Sequence, residues 1–343
     1  MAAGLLEVHG TIDMSQFWPA GRSDADTSKV MVKLTQNAFK FRAHPGAPLH
    51  TTTFWQGAKV KGRIGLKAPI DSHNQLTIRL QGIDAPELHY QPAPLTSAER
   101  KASSAKALAQ YKALNHFYRQ PFGATATNAL RTLLMQAGQQ VLPCRVWTYV
   151  DQPSEIFDTY GRFVGNIDVA INSQALDINN WLIEQGWAFP AFYSSMSAAE
   201  IDSISALAKI ARSKKRGIWK YQAKTIGAFD FNLLEPAIGD ISILSKDHGP
   251  VLFPKLFRRQ CSWATRKKAG ISKQTFQHYL ETGIDVCFKT SEFLANTIHS
   301  AKTYPFASFI KAGKTVAFEP EALVFQEAPS KLLGIDGKEI VGF

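Results

Sequence analysis

The sequence predicts an α+β fold in two domains. Three features point there: period-2 alternation in short early segments, helical spacing in the segments after them, and a change of pattern beyond Tyr221. Residues 5–12 and 28–34 alternate apolar and polar side chains as half-buried strands do, and so do 76–82 and 162–169. Helical spacing follows over 124–136, where Ala126, Leu130, Leu133 and Leu134 share a face and Gly138 offers a C-terminal cap. Residues 175–185 repeat the pattern with Leu176, Leu182 and Ile183 and stop at Gly186. A third helix opens at Ser197, where Glu200 completes a capping box, and runs to Lys214-Lys215-Arg216 before Gly217. Two segments interrupt the scheme. Residues 35–75, with Pro45, Gly46, Pro48 and the turn Asp71-Ser72-His73-Asn74, are too long for a hairpin loop and read as an insertion with strands of its own. Residues 88–121 form a second insertion, in which the Ala- and Lys-rich run 97–118 favours a helix. The stretch 224–230, centred on Gly227, makes a boundary between a domain over 1–223 and a smaller mixed domain over 224–343.

A chain of 343 residues matches about two domains at roughly 100–200 residues each. With 45% hydrophobic and 20% charged residues, it can bury a core, which excludes disordered, collagen-like and coiled-coil classes. No run reaches the roughly 18 apolar residues of a membrane-spanning helix. The start, Met1-Ala2-Ala3-Gly4, lacks a charged and then apolar leader, so the expected location is the cytoplasm, or a secreted or periplasmic one if a leader has been removed. Cys144, Cys261 and Cys287 are too widely spread for a C-x-x-C pair and read as reduced, buried thiols. The formal charge of +11 favours polyanionic partners, although an excess of this size also serves solubility alone.

The most informative stretch is Arg79-Leu80-Gln81-Gly82-Ile83-Asp84-Ala85-Pro86-Glu87, a strand ending in a turn that presents one guanidinium and two carboxylates. That set suits phosphodiester hydrolysis: one carboxylate anchors a hard cation, one takes a proton from water, and the arginine clamps the phosphate. The same triplet also describes an ordinary salt-bridged surface loop. Two further segments add weight to the first reading. Asp24-Ala25-Asp26-Thr27 precedes one strand with paired aspartates, and Asp158-Thr159-Tyr160-Gly161-Arg162 begins another with a second arginine.

Together these segments resemble the staphylococcal nuclease (thermonuclease-like) family. That family carries D-G-D-T, R-L-x-G-I-D-A-P-E and D-x-Y-G-R in this order, then a helix ending in Q-G-x-A and a last helix near G-I-W. The later elements match Gln185-Gly186-Trp187-Ala188 and Gly217-Ile218-Trp219, so the resemblance covers residues 5–221. It implies an OB-type, five-stranded Greek-key β-barrel with three flanking helices. It also implies a calcium ion held by Asp26, Asp84 and the main-chain carbonyl of Ala85, with Glu87 as general base and Arg79 and Arg162 on the scissile phosphate. Phe192 and Tyr193 fall where the family often places aromatic residues near the substrate base; a hydrophobic packing edge is the other reading of Phe192. Two departures stand out: Ala25 replaces the middle glycine of D-G-D-T, and the insertion makes Asp71 a competing acid for the place of Asp26. His73, His89 and His116 have no metal-site spacing.

The remainder resembles no family. Between 255 and 273, Lys255, Arg258, Arg259, Arg266, Lys267, Lys268 and Lys273 are interleaved with Phe257 and Trp263 and with no acid. That composition suits a nucleic-acid surface, with Arg258, Arg259, Arg266, Lys267 and Lys268 as the phosphate contacts. A helix-turn-helix with Ser272 as N-cap is one reading, and a basic solvated helix face is another. The expected function is a calcium-dependent nuclease acting on DNA, with RNA left open as a second substrate and the C-terminal domain adding affinity or targeting. The alternatives are a barrel that binds nucleic acid or protein without cleaving, and a C-terminal domain that docks a protein partner.

Overall fold

The computed structural model of the chain describes residues 4–17, 24–33, 38–63, 65–235, 247–283, 285–295, 300–328 and 330–343. Leu34 and Thr35, where the second expected strand ends and the first insertion begins, lie outside the described residues. Contacts gather the chain into two units that alternate along it. One comprises Met1–Ile83, Asn128–Leu182 and Glu327–Phe343, and the other Asp84–Thr127 and Ile183–Gln326.

In the first unit five strands close into a barrel. They are β1 (Gly4–Asp13), β2 (Thr27–Val32), β3 (Gln75–Leu80), β4 (Val141–Val150) and β5 (Phe163–Ile171). They pair in the order β5-β3-β2-β1-β4, and β4 returns to β5. Every pair is antiparallel except β5 with β3, which is parallel and sets Val164 opposite Arg79. This closed mixed barrel with flanking helices is the OB-type α+β architecture that the sequence predicts. Leu6, Val30, Ile78, Val146 and Ile167 are among its buried side chains, and each contributes roughly 1.5–3 kcal/mol relative to staying exposed. The sequence reading lacks β4. Its buried row includes Thr148 and Cys144 while its outer row includes exposed Val141 and Tyr149, so polarity does not alternate where burial does.

The first insertion has strands of its own, as expected. Phe39–Arg42 pairs with β1, and Lys59–Gly62 pairs with both Gly65–Lys67 and Lys331–Leu333. The last of these belongs to the chain's final stretch, which is one reason why the contacts assign Glu327–Phe343 to the barrel unit. The expected helix over 97–118 is two, α1 (Ser97–Ala102) and α2 (Ala105–Leu114), because Ser104 turns extended and caps the second. After α3 (Gly123–Met135) comes α4 (Ile178–Glu184), shorter than expected because Gln174–Asp177 pairs with β5 as a strand. The Ser197–Glu200 capping box opens α5 (Ala198–Ser213) as expected.

The second unit carries the four-stranded sheet Phe192–Tyr193, Leu323–Phe325, Val286–Lys289, Tyr304–Pro305, with α6 (Pro254–Lys268) and α7 (Phe276–Glu281). Phe253, Phe306 and Phe325 pack their rings together. Two of the motif elements also meet here. Ile218 N–H donates to the Gly186 carbonyl at 2.9 Å. Gly186 and Gly217 both hold positive φ, and a Cβ on either would strike backbone of the other element at 2.5 or 2.2 Å. The three cysteines are free and buried, as expected. Among the described residues no helix is long and apolar enough to cross a membrane.

Candidate functional site

In the barrel unit, strand pairing brings two arginines together. Arg79 is opposite Thr27 on one side and Val164 on the other, and Arg162 precedes the first residue of β5. The Arg79 guanidinium pairs with the Asp26 carboxylate. Arg162 donates through Nε to Asp158 Oδ2 at 2.7 Å and through Nη1 to Thr27 Oγ1 at 3.3 Å, and it lies over the Tyr160 ring. Asp158 shapes this turn as well, accepting the backbone N–H groups of Tyr160 and Arg162 on Oδ1. Ala25 is buried and is not among the residues with positive φ, so alanine stands in for the motif glycine without backbone strain. Asp71, the competing acid, is engaged in its own hairpin, where it accepts from the N–H groups of His73 and Gln75.

The turn after β3 is pinned from the same unit. Leu80 N–H donates to the Asp26 carbonyl and Gln81 N–H to the Gly165 carbonyl, both at 2.9 Å. Buried Asn179, at the start of α4, donates to the Gln81 carbonyl at 3.0 Å, and Thr148 Oγ1 bonds Gln81 Oε1 at 3.0 Å. Gly82 then takes positive φ, the reversal that only glycine adopts without cost.

Asp84 and Glu87 belong to the second unit and are both buried. Glu87 N–H donates to Gln120 Oε1 at 3.0 Å, and Gln120 N–H returns to the Glu87 carbonyl at 2.6 Å. Gln120 Nε2 also donates to the Leu252 carbonyl at 3.0 Å, which ties this turn to the entry of α6. From α6, Arg258 reaches both acids: Nη1 donates to Asp84 Oδ1 at 3.1 Å, Nη2 to Asp84 Oδ2 at 2.9 Å, and Nη1 also to Glu87 Oε1. Burial works against the Arg258 charge, but the two carboxylates outweigh it and hold the guanidinium well above its ordinary pKa.

The other expected contacts have mixed surroundings. Phe192 is fully buried in the sheet of the second unit. Its side chain is in the core, in keeping with the packing-edge reading of the two that the sequence left open. Tyr193 beside it is half-buried, with Lys255 over its ring. Arg259 is paired with Asp285, and Arg266 is buried on Glu99. Only Lys267 and Lys268 among the five expected phosphate contacts are exposed. Most of α6 is buried, including Leu256, Phe257, Cys261 and Thr265, which corrects the reading of a solvated basic face.

The residues implied to hold calcium do not fit the ion in this arrangement. Calcium takes 6–8 oxygen ligands, whereas both oxygens of Asp84 face Arg258 and Asp26 faces Arg79. No group of three or more His, Cys, Asp or Glu residues among those described is arranged to hold a metal.

Sequence reasoning missed the role of Arg258, because nothing local marks a partner 174 positions away. It also missed exposed Lys59, Lys61 and Lys67 on the insertion's sheet. That sheet touches the arginine turn, since Arg63 N–H donates to the Thr159 carbonyl at 2.8 Å. The alternation Lys59-Val60-Lys61 was the available signal. Residues 77–221 match the family model of the staphylococcal nuclease homologues. Arg79, Asp84, Glu87 and Arg162 lie inside that match, and Asp26 and Arg258 lie outside it. No curated protein matches the chain.

Proposed function

We propose, from the match of residues 77–221 to the staphylococcal nuclease homologues, that this chain hydrolyses phosphodiester bonds of nucleic acid. The observation that carries the reading is the placement of Arg79 and Arg162 at adjoining ends of β3 and β5, each oriented by an acid of its own unit. Guanidiniums in that setting bind a phosphate through paired N–H groups and stabilise the charge that builds on its oxygens.

Glu87 takes the proton of the attacking water, whose oxygen bonds to phosphorus while the bond to the leaving oxygen breaks. The leaving oxygen is protonated from solvent. A backbone held on both sides by Gln120 suits Glu87 to the task, since a general base has to be positioned before its pKa matters. Lys267, Lys268 and the lysines of the insertion supply the sequence-independent attraction for the polyanion. No step is routed through calcium, whose implied ligands face guanidiniums.

A second reading is a barrel that binds nucleic acid without cutting it, and the Arg258 contact with Glu87 favours it. Incubating the chain with plasmid, single-stranded DNA and RNA separates the two. Cleavage products are expected from at least one substrate, while binding without any product supports the second reading.

A further inference from the structure

Asp84 and Glu87, the two acids of the motif turn in the second unit, have a guanidinium fixed on them by a rigid element of that unit. Arg258 is the fifth residue of α6, a helix of 15 residues, so its backbone is well inside the helix rather than at a fraying end. Leu256, Phe257 and Cys261 bury the helix around it. Gln120 bonds both the Glu87 backbone and the Leu252 carbonyl, so the carboxylates and the start of α6 share one support. The fork of Arg258 matches Asp84 through two N–H groups, at 3.1 and 2.9 Å, and reaches Glu87 with the same Nη1. A divalent cation on Asp84 would have to displace this pair and leave a largely buried guanidinium without its counter-charges, a costly exchange. Arginine also supplies what a cation supplies to a buried carboxylate pair: a fixed positive charge that orients both acids.

Building on the proposed hydrolase reading, we infer that Arg258 is the resident cation of this site: its guanidinium occupies Asp84 and Glu87 in place of a divalent ion, so the chain binds no calcium there and positions Glu87 without one. Arg258 is therefore a positioning residue contributed by a segment outside the matched family region.

The experiment pairs calcium binding with cleavage, using the full chain and its Arg258→Ala and Arg258→Lys variants. Calorimetric titration with calcium chloride is expected to show no binding to the parent and binding to Arg258→Ala, which removes the guanidinium from both acids. Cleavage by the parent is expected to persist in excess chelator. Arg258→Ala is expected to lose most of its rate in chelator and recover it on adding calcium, while Arg258→Lys keeps part of the rate without metal. Calcium binding by the parent that matches or exceeds that of Arg258→Ala overturns the inference, and so does parental cleavage abolished by chelator. If Arg258→Ala does not fold, the parent's titration and chelator response decide the matter alone. A parent that cleaves nothing contradicts the hydrolase reading, and the calcium titration still decides the inference.

Discussion

The two terminal nitrogens of Arg258 face the two carboxylate oxygens of Asp84 at 3.1 and 2.9 Å, across 174 positions of sequence. Cutting the chain after Tyr221 would remove Arg258 with α6 and leave two buried acids without this cation. It would also remove the buried Leu256, Phe257 and Cys261. A fragment ending at Tyr221 is therefore expected to lack a cooperative thermal transition by circular dichroism. A fragment that melts cooperatively near the parent's midpoint would show that the C-terminal segment is dispensable for folding, as the sequence alone suggests.

Asn179 makes the buried bond that pins the carbonyl of Gln81, two residues before Ile83-Asp84. Asn179→Ala removes one hydrogen bond from that carbonyl and one from the Ile167 N–H. A loss of about 0.5–1.5 kcal/mol for each bond is expected, the net worth of an intramolecular hydrogen bond. Urea unfolding of parent and variant measures it, and coincident curves would mean that the bond contributes nothing net.

Asp177 gives a pH-dependent expectation. Burial, with the nearby Asp168 charge adding to it, pushes its carboxyl from the ordinary 3.8 up to about 6. Because the folded value lies above the unfolded one, the stability this group contributes is complete below about 4 and is lost as pH rises through about 6. The stability of the parent relative to Asp177→Asn is thus expected to fall between pH 4 and 7. Denaturation curves at both ends of that window check it, and a difference that is flat or rises with pH would contradict the assignment.

Lys267 and Lys268 are exposed, whereas Arg259 and Arg266 are held on acids. Replacing the two lysines with alanine is expected to weaken nucleic-acid binding across sequences and flatten its salt dependence, by roughly 0.7–0.9 log unit of slope for each phosphate no longer neutralised. Arg259→Ala is expected to act through stability, since it leaves the half-buried Asp285 with Lys255 alone, where Lys255 and Arg259 together hold its carboxyl well below its ordinary value against the effect of burial. Fluorescence anisotropy over a salt series distinguishes them. An unchanged slope in the lysine variant would move the phosphate surface elsewhere, with the insertion's lysines next in line.

The barrel was legible because burial follows the alternation of β2 and β3 throughout and that of β5 in part, although β1 is buried continuously over Gly4–Val8, and because the motif turn is continuous in sequence. Strand β4 was not, since it exposes Val141 and Tyr149 and buries Thr148. Arg79, Asp158 and Arg162 stood out as members of short motif segments, and Asp158 has the added task of orienting Arg162. Composition misled over α6: with six basic residues and no acid it looks solvated, yet its arginines pair with Asp84, Glu87, Asp285 and Glu99. Those partners lie far along the chain from it or on another element, where neither periodicity nor charge counting reaches.

The most direct test of the proposed chemistry compares the parent with Glu87→Gln on a fluorescent single-stranded oligonucleotide at saturating concentration. Glutamine keeps the shape and cannot take the water's proton, so turnover is expected to fall about 10²-fold or more, with affinity nearly unchanged. Arg79→Ala and Arg162→Ala, run alongside, are expected to lose rate through the phosphate. Equal turnover by the parent and Glu87→Gln would contradict Glu87 as the base and, with it, the assignment of this turn as the site of hydrolysis.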